Sequence, residues 1–290
     1  MRHRQEEPMD LGLGRKVVFI TGASGGIGWA TAEAFAEEGA RLALHGHRSF
    51  QALRTRAEER WNAEQAFAYA CDLSEPEGIA RAMEAAAAQF GRIDVCIANA
   101  GIWHAESVRL DQMPTERFRE TIAVNLLGAA WTARAFLRVL TDRGPRPGEH
   151  GASLLFIGST AGRFGERGHS DYSATKAGLY GLVRTLKNEI VQIDPRGRVN
   201  MIEPGWTVTE MARPALQDPE ALPRAVRTMP LQQVGTAKDI ARAAVFLSSP
   251  TAAQHISGEV LTIAGGMEGR VQWELQEIDG TAVRRRSGLE

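Results

Sequence analysis

The run Thr21-Gly-Ala-Ser-Gly-Gly-Ile-Gly28 lies directly after the apolar stretch Val17-Val-Phe-Ile20 and directly before the helical pattern Trp29-Ala-Thr-Ala-Glu-Ala-Phe35. A strand, a glycine turn and a helix in that order constrain the fold more than any other feature of the chain. Gly22 permits a tight bend, Gly26 lets backbone approach a pyrophosphate, and Gly28 lets the helix pack closely on the strand. The helix start then turns its unpaired N–H groups and the positive end of its dipole towards an anion. A unit of this kind is a dinucleotide site. Its spacing is Gly-x-x-x-Gly-x-Gly, not the commoner Gly-x-Gly-x-x-Gly.

The rest of the chain repeats the alternation. Apolar, strand-like runs fall near 16–21, 40–45, 66–71, 94–98, 152–158, 198–203 and 260–263, with helical periods between them. That order implies an α/β fold with a doubly wound parallel sheet of seven strands covered by helices on both faces. Ligands of such sheets sit beyond the carboxyl ends of the strands, where Gly22, Asn99, Ser159 and Pro204 are expected to cluster.

A second motif carries chemistry. Ser159 is followed by Tyr172 and then by Lys176, in Asp171-Tyr-Ser-Ala-Thr-Lys176. Tyr and Lys four apart on a helix share one face, so a phenol and an ammonium converge on one atom. With three tyrosines and four lysines in the chain, this spacing is a rare accident. A phenol titrating near 10 is a poor acid or base at neutral pH, and a neighbouring cation lowers that value.

On these residues the chain resembles the short-chain dehydrogenase/reductase family, over roughly residues 12–267. Further family motifs stand in order: Asn99-Ala-Gly101, Asn125 in Val124-Asn-Leu-Leu-Gly128, Pro204-Gly-Trp-Thr-Val-Thr209, Pro230-Leu-Gln-Gln-Val-Gly235 and Gly258-Glu-Val-Leu-Thr-Ile-Ala-Gly-Gly266. The resemblance implies a single Rossmann-type domain and hydride transfer between a nicotinamide and a carbonyl carbon. In it Tyr172 exchanges the proton, Ser159 donates a hydrogen bond to the reacting oxygen, and Lys176 lowers the Tyr pKa with help from burial and a cationic nicotinamide. Asn125 anchors a water linking Lys176 to solvent, or is an ordinary helix-kink residue. The cofactor is expected against Gly22, Ser24, Gly25, Gly26, Ile27 and Gly28, against His47, Arg48 and Ser49, against Asp72 and Leu73, against Asn99, Ala100 and Gly101, and against Tyr172, Lys176, Pro204, Gly205, Thr207 and Thr209. Asp72 meets the adenine amino group or caps the following helix.

Cofactor choice turns on the end of the second strand, Leu42-Ala-Leu-His-Gly-His-Arg-Ser49. No acid stands there to take both ribose hydroxyls, and His47, Arg48 and Ser49 offer donors to a 2′-phosphate. NADP(H) is favoured and NAD(H) remains an alternative. Gly25 stands where NADP-preferring relatives often carry Arg or Lys. The substrate is expected to be a ketone or secondary alcohol, with 3-oxoacyl thioesters first and sugars or other secondary alcohols next. Arg163, Arg167, Arg213, Arg224 and Arg227 are candidates for an anionic substrate group or ordinary solvated surface. A dehydratase or isomerase on this fold is usually longer, and a silent nucleotide-binding regulator normally shows a damaged catalytic set.

Composition sets the outer limits. A net charge of −1 gives no basic face for nucleic acid. No apolar run approaches a ~20-residue membrane span, the first residues lack a signal-like stretch, and no metal ligand set is expected, so a cytoplasmic location follows. Cys71 and Cys96 read as small core hydrophobes. Residues 1–11 and 268–290 are expected as extensions, 141–151 as an irregular Pro/Gly-rich stretch, and 209–230 as a mobile lid closing on the cofactor. The last extension is a partly ordered appendage, or else Val271-Gln-Trp-Glu-Leu275 reaches a neighbouring subunit or covers an active site. A homo-oligomer, dimer or tetramer, is expected through the helices near 115–140 and 172–194; the small-residue face around Gly128, Thr132 and Ala135 serves that contact or the core.

Overall fold

The computed structural model describes residues 10–144, 151–217 and 221–288. Most of the expected N-terminal extension, the centre of the Pro/Gly-rich stretch, Pro219 of the lid and the last two residues lie outside them.

In chain order the elements are β1 (Val17–Ile20), α1 (Gly26–Glu37), β2 (Arg41–Gly46), α2 (Phe50–Arg60), β3 (Ala66–Ala70), α3 (Pro76–Phe90) and β4 (Val95–Ala98). Then follow α4 (Thr115–Ile122), a π-helical turn (Ala123–Leu127), α5 (Gly128–Arg143), β5 (Ser153–Ile157), α6 (Thr160–Phe164), α7 (Ser170–Ile193) and β6 (Arg198–Pro204). The chain closes with β7 (Thr207–Val208), α8 (Arg213–Leu216), α9 (Ala221–Val226), β8 (Gly235–Thr236), α10 (Ala237–Ser248), β9 (Val260–Ile263) and α11 (Gly280–Arg286).

Seven strands form one parallel sheet in the order β3-β2-β1-β4-β5-β6-β9, and β7 pairs with β8 in a separate short ribbon. All seven expected strands are present. Interior strands are covered on both faces, so β1, β4 and β5 read as unbroken apolar or small runs and are buried throughout. Alternate residues of β1 serve opposite cores: Val17 and Phe19 pack with residues of α3, α5 and α7, while Val18 and Ile20 pack with those of α1, α2 and α10.

Helix ends follow local chemistry. Pro76 occupies the first turn of α3, and Gly91 ends it with φ +80°, a left-handed position that suits glycine. Thr236 and Asp239 close a reciprocal capping box at the start of α10. The strand order reverses between β1 and β4, and the crevice this opens lies at their carboxyl ends.

The folded chain decides one open alternative and corrects one expectation. Gly128, Ala129, Thr132 and Ala135 are buried within the chain, and a Cβ on Gly128 would lie 2.9 Å from Cβ of Leu73. The small-residue face is therefore core and gives no argument for assembly. The continuous helical run Thr115–Arg143 is long and apolar enough to cross a membrane by length and composition, and here it packs against α3 and α7. Cys96 is buried and Cys71 half-buried one residue past β3, and burial pushes the Cys71 thiol up to about 12.

Candidate active site

The crevice is held shut at its base by one threonine and one asparagine. Thr21 Oγ1 accepts from the amides of Asn99 at 3.0 Å and Ala100 at 3.1 Å. Asn99 Nδ2 returns two bonds, to the carbonyls of Thr21 at 2.9 Å and Gly22 at 3.1 Å. The ends of β1 and β4 are thus stitched together just where the glycine turn begins.

The turn needs its glycines for identifiable reasons. Gly22 has φ +64°, and a Cβ there would lie 2.8 Å from Ala100 Cα. A Cβ on Gly28 would run into the Gly22 carbonyl and lie 2.8 Å from Asn99 Nδ2. One on Gly26 would press on Thr209 at 3.1 Å, which places Thr209 over the turn. Gly25 has room, with Gly22 O at an ordinary 3.6 Å.

His45 supports the turn from behind. It is buried on β2, its Nδ1 accepts from the Gly22 amide at 3.3 Å, and its Nε2 faces the Cys71 carbonyl at 3.1 Å. Burial pulls its pKa down to about 4, so the ring is neutral and suits one acceptor and one donor role. Next to it His47 lies 3.7 Å from Asp72, and Arg48 lies 3.3 Å from Glu120, all well exposed. Asp72 does not cap α3. Its Oδ1 accepts from both the amide and the hydroxyl of Ser74 at 2.8 Å, turning the chain before Glu75, the residue that stands at the helix start.

At the other end, Ser159 precedes α6 and Tyr172 and Lys176 stand on the first turns of α7. Lys176 is buried, its Nζ donates to the Ile157 carbonyl at 2.9 Å and lies 5.6 Å from the Tyr172 ring centre. Burial lowers its pKa to about 8. Burial pushes the Tyr172 phenol up to about 12, with a hydrogen bond to Ser159 pulling the other way. The expectation that burial helps to lower this pKa is therefore reversed: taking a phenolate out of water disfavours it.

Asn125 sits in the π-helical turn, and its amide clasps Ile102, accepting from the amide at 2.7 Å and donating to the carbonyl at 2.9 Å. It is a helix-irregularity residue and also a neighbour of Lys176. A Cβ on Gly101 would lie 3.3 Å from Asn125 Oδ1 and 3.5 Å from Lys176 Nζ. In the first turn of α7, Asp171 is paired with Arg117 at 2.9 Å and accepts from Thr121 at 3.1 Å, fixing that turn.

One cavity of about 650 Å³ joins these groups. It runs from Gly22, Ser24, Gly25, Gly26, Ile27 and Gly28 past His47, Arg48, Ser49, Asp72 and Leu73 to Ser159, Tyr172 and Lys176. Asn99, Ala100, Gly101, Pro204, Gly205, Thr207 and Thr209 complete the wall. Every expected site residue except Asn125 lines it. A helix N-terminus, a glycine turn without Cβ atoms, and donors at the end of β2 form a cradle suited to a dinucleotide.

The family model described as enoyl-(acyl carrier protein) reductase matches residues 22–268, most of the chain. The protein is a short-chain dehydrogenase/reductase. This short-chain dehydrogenase/reductase is 32% identical over 255 residues to the 3-oxoacyl-[acyl-carrier-protein] reductase FabG of Escherichia coli, covering 87% of this chain and 97% of that one. It is also 32% identical to an L-rhamnose 1-dehydrogenase (NAD(P)(+)) of a Sphingomonas species, covering 87% and 96% of the two chains. Among solved structures, a short-chain dehydrogenase of Burkholderia cenocepacia in complex with NADP superposes with a TM-score of 0.76 at 30% identity, covering 88% of this chain and 98% of that one. The enzyme is an oxidoreductase whose family binds a nicotinamide cofactor.

Several residues of this short-chain dehydrogenase/reductase site are not conspicuous in the sequence. Trp103 stacks on buried His169 at 3.8 Å between ring centres and meets Tyr172 edge-on at 4.8 Å. Both His169 ring nitrogens face carbonyls, those of Arg167 at 3.2 Å and His104 at 3.0 Å. Glu166 and Arg270 also line the cavity, whereas none of the five arginines named from the sequence does. Of those five, Arg224 and Arg227, in the stretch expected as a lid, bind Glu274 of the C-terminal segment at 3.2 and 2.5 Å.

Proposed function

We propose that this oxidoreductase interconverts a ketone and a secondary alcohol with NADP(H), with Ser159, Tyr172 and Lys176 as its catalytic set. The observation that carries the reading is their convergence in one cavity with the glycine turn. The bound nicotinamide supplies or accepts the hydride.

In the reductive direction Tyr172 gives its phenolic proton to the oxygen that develops negative charge, and Ser159 donates a hydrogen bond to the same atom. Burial raises the phenol and the Ser159 hydrogen bond lowers it; a further lowering needs positive charge, and Lys176, four residues along α7, supplies part of that charge. Desolvation also makes the Lys176 ammonium willing to share a proton, which fits a proton path through this residue and its neighbour Asn125. His47, Arg48 and Ser49 are the residues that would hold a 2′-phosphate; Thr207, Thr209 and the glycine turn would hold the rest of the cofactor.

A 3-oxoacyl thioester is the first substrate class, by likeness to the acyl-carrier-protein reductases. A hydroxylated, sugar-like substrate is the second, favoured by the polar Glu166–Arg270 wall. The test is oxidation of NADPH by the purified protein with an acetoacetyl thioester, with NADH in parallel and Tyr172→Phe as control. Turnover that vanishes in Tyr172→Phe while NADPH still binds supports the reading; full activity in that variant removes Tyr172 from the mechanism.

A further inference from the structure

The C-terminal segment places Arg270 in the wall of the reaction cavity. Its side chain is 13% exposed, and Nε donates to Glu166 Oε2 at 2.9 Å. Nη2 donates to Thr160 Oγ1 at 3.2 Å, and Nη1 approaches Gly269 O at 3.3 Å and Met267 Sδ at 2.6 Å. Both partners adjoin the catalytic groups. Thr160 is the residue after Ser159, and the Glu166 amide donates to Ser173 Oγ at 3.0 Å, the residue after Tyr172. The Arg270–Glu166 pair is therefore bracketed between the neighbours of the two catalytic hydroxyls.

The pair is not used up by its own contacts. A guanidinium carries five N–H donors, and one on Nη2 has no partner among the described residues. Glu166 Oε1 likewise accepts no hydrogen bond among them. A charged donor and a charged acceptor thus stand side by side in the cavity. A carboxylate alone would meet the Glu166 charge, and an alkyl chain would desolvate the remaining Nη2 proton and Glu166 Oε1 without giving either a partner. A hydroxyl satisfies both, accepting from Arg270 and donating to Glu166.

We propose that Arg270 and Glu166 are substrate-recognition residues that bind a second hydroxyl group on the substrate, beside the oxygen that reacts. The inference rests on the cavity being the reaction site and makes the hydroxylated substrate class the fitting one. It also gives the C-terminal segment a direct part in specificity. A mere structural staple between the segment and α6 would show no selectivity for ligand hydroxyls.

The experiment measures binding without turnover. Cyclohexanol and the 1,2- and 1,3-cyclohexanediols are titrated calorimetrically into the complex of the full chain with NADPH, where an alcohol cannot react. At least one diol is expected to bind tenfold or more tightly than cyclohexanol, because a site built for a hydroxyl rejects the analogue lacking it. That preference should disappear in Arg270→Ala and in Glu166→Ala, with NADPH affinity unchanged, and should return in part in Arg270→Lys. If an alanine variant fails to bind NADPH through misfolding, Arg270→Lys and Glu166→Gln carry the same comparison. Equal affinity for all three alcohols in the wild type overturns the proposal, and so does a preference that survives every variant. Turnover plays no part in this readout, so silence in the thioester assay bears on the proposed reaction alone.

Discussion

The indole of Trp103 stands perpendicular to the Tyr172 phenol, 88° between planes and 4.8 Å between ring centres. Its other contact, the near-parallel stack on His169, fixes it in turn, and the His169 ring lies between the carbonyls of Arg167 and His104, to one of which its N–H donates. Edge-to-face pairs contribute about 0.5–1.5 kcal/mol beyond their buried area, enough to bias one ring orientation. We predict that Trp103→Ala lowers kcat tenfold to a hundredfold with little change in NADPH affinity, since small misplacements of a reacting group are costly. Trp103→Phe should recover most of the loss. Steady-state kinetics with an unchanged kcat in Trp103→Ala would free Tyr172 from this clamp.

His45 makes stability depend on pH. Its folded pKa near 4 lies below the ordinary 6.5, so the unfolded chain takes up a proton that the folded one refuses. Above 6.5 the contribution is fully present; it is lost as pH falls from 6.5 towards 4, by on the order of 3 kcal/mol. Urea unfolding at pH 7, 5.5 and 4.5 should show this decline in the wild type. In His45→Gln, whose amide also offers one acceptor and one donor, the same decline should be shallower by that amount. Parallel curves would mean that His45 is not the group responsible.

Two of the three donors at the end of β2 have an acidic neighbour, His47 with Asp72 and Arg48 with Glu120. A 2′-phosphate would draw Arg48 away from a pair that is solvent-exposed and worth little. Arg48→Ala is expected to weaken NADPH binding about tenfold, more at low salt than at high, and to leave NADH almost unaffected. Fluorescence titration reads both. A wild-type protein that binds NADH tenfold tighter than NADPH would sink this assignment.

Glycine positions separate by the space around them. Gly28→Ala drives a methyl into the Gly22 carbonyl, and a loss of about 1–3 kcal/mol is expected with cofactor binding abolished. Gly181, inside α7 with nothing within 4 Å of its would-be Cβ, is the contrast. Gly181→Ala should stabilise the chain by about 0.5–1 kcal/mol. Thermal melts of the two variants test the pair, and a neutral Gly28→Ala would contradict the packing described.

The sheet was legible because interior parallel strands write themselves as continuous apolar runs and the glycine turn has few structural alternatives. That Ser159, Tyr172 and Lys176 share one cavity was legible because Tyr172 and Lys176 lie one helical turn apart and Ser159 stands at a strand end. Trp103, His169, Glu166 and Arg270 were not, since each acquires its role from a partner distant in sequence: His169 meets His104 across 65 positions, and Arg270 meets Glu166 across 104. Asp72 could be read as a helix cap because nothing in the sequence reveals that Ser74 claims its carboxylate. The sign of burial at Tyr172 also needed the fold, because only there is the phenol desolvated strongly enough to outweigh the Ser159 hydrogen bond.

The short run from Arg270 to Glu274 is anchored at one end to the cavity wall and at the other to residues outside it. Arg270 holds Thr160 beside Ser159, and Glu274 holds Arg224 and Arg227 of the stretch 209–230. If the stretch 209–230 opens as the proposed lid, it must either break the Glu274 ion pairs or carry the run with it. In the second case Arg270 leaves Thr160, and opening that stretch and dismantling the wall beside Ser159 become a single movement.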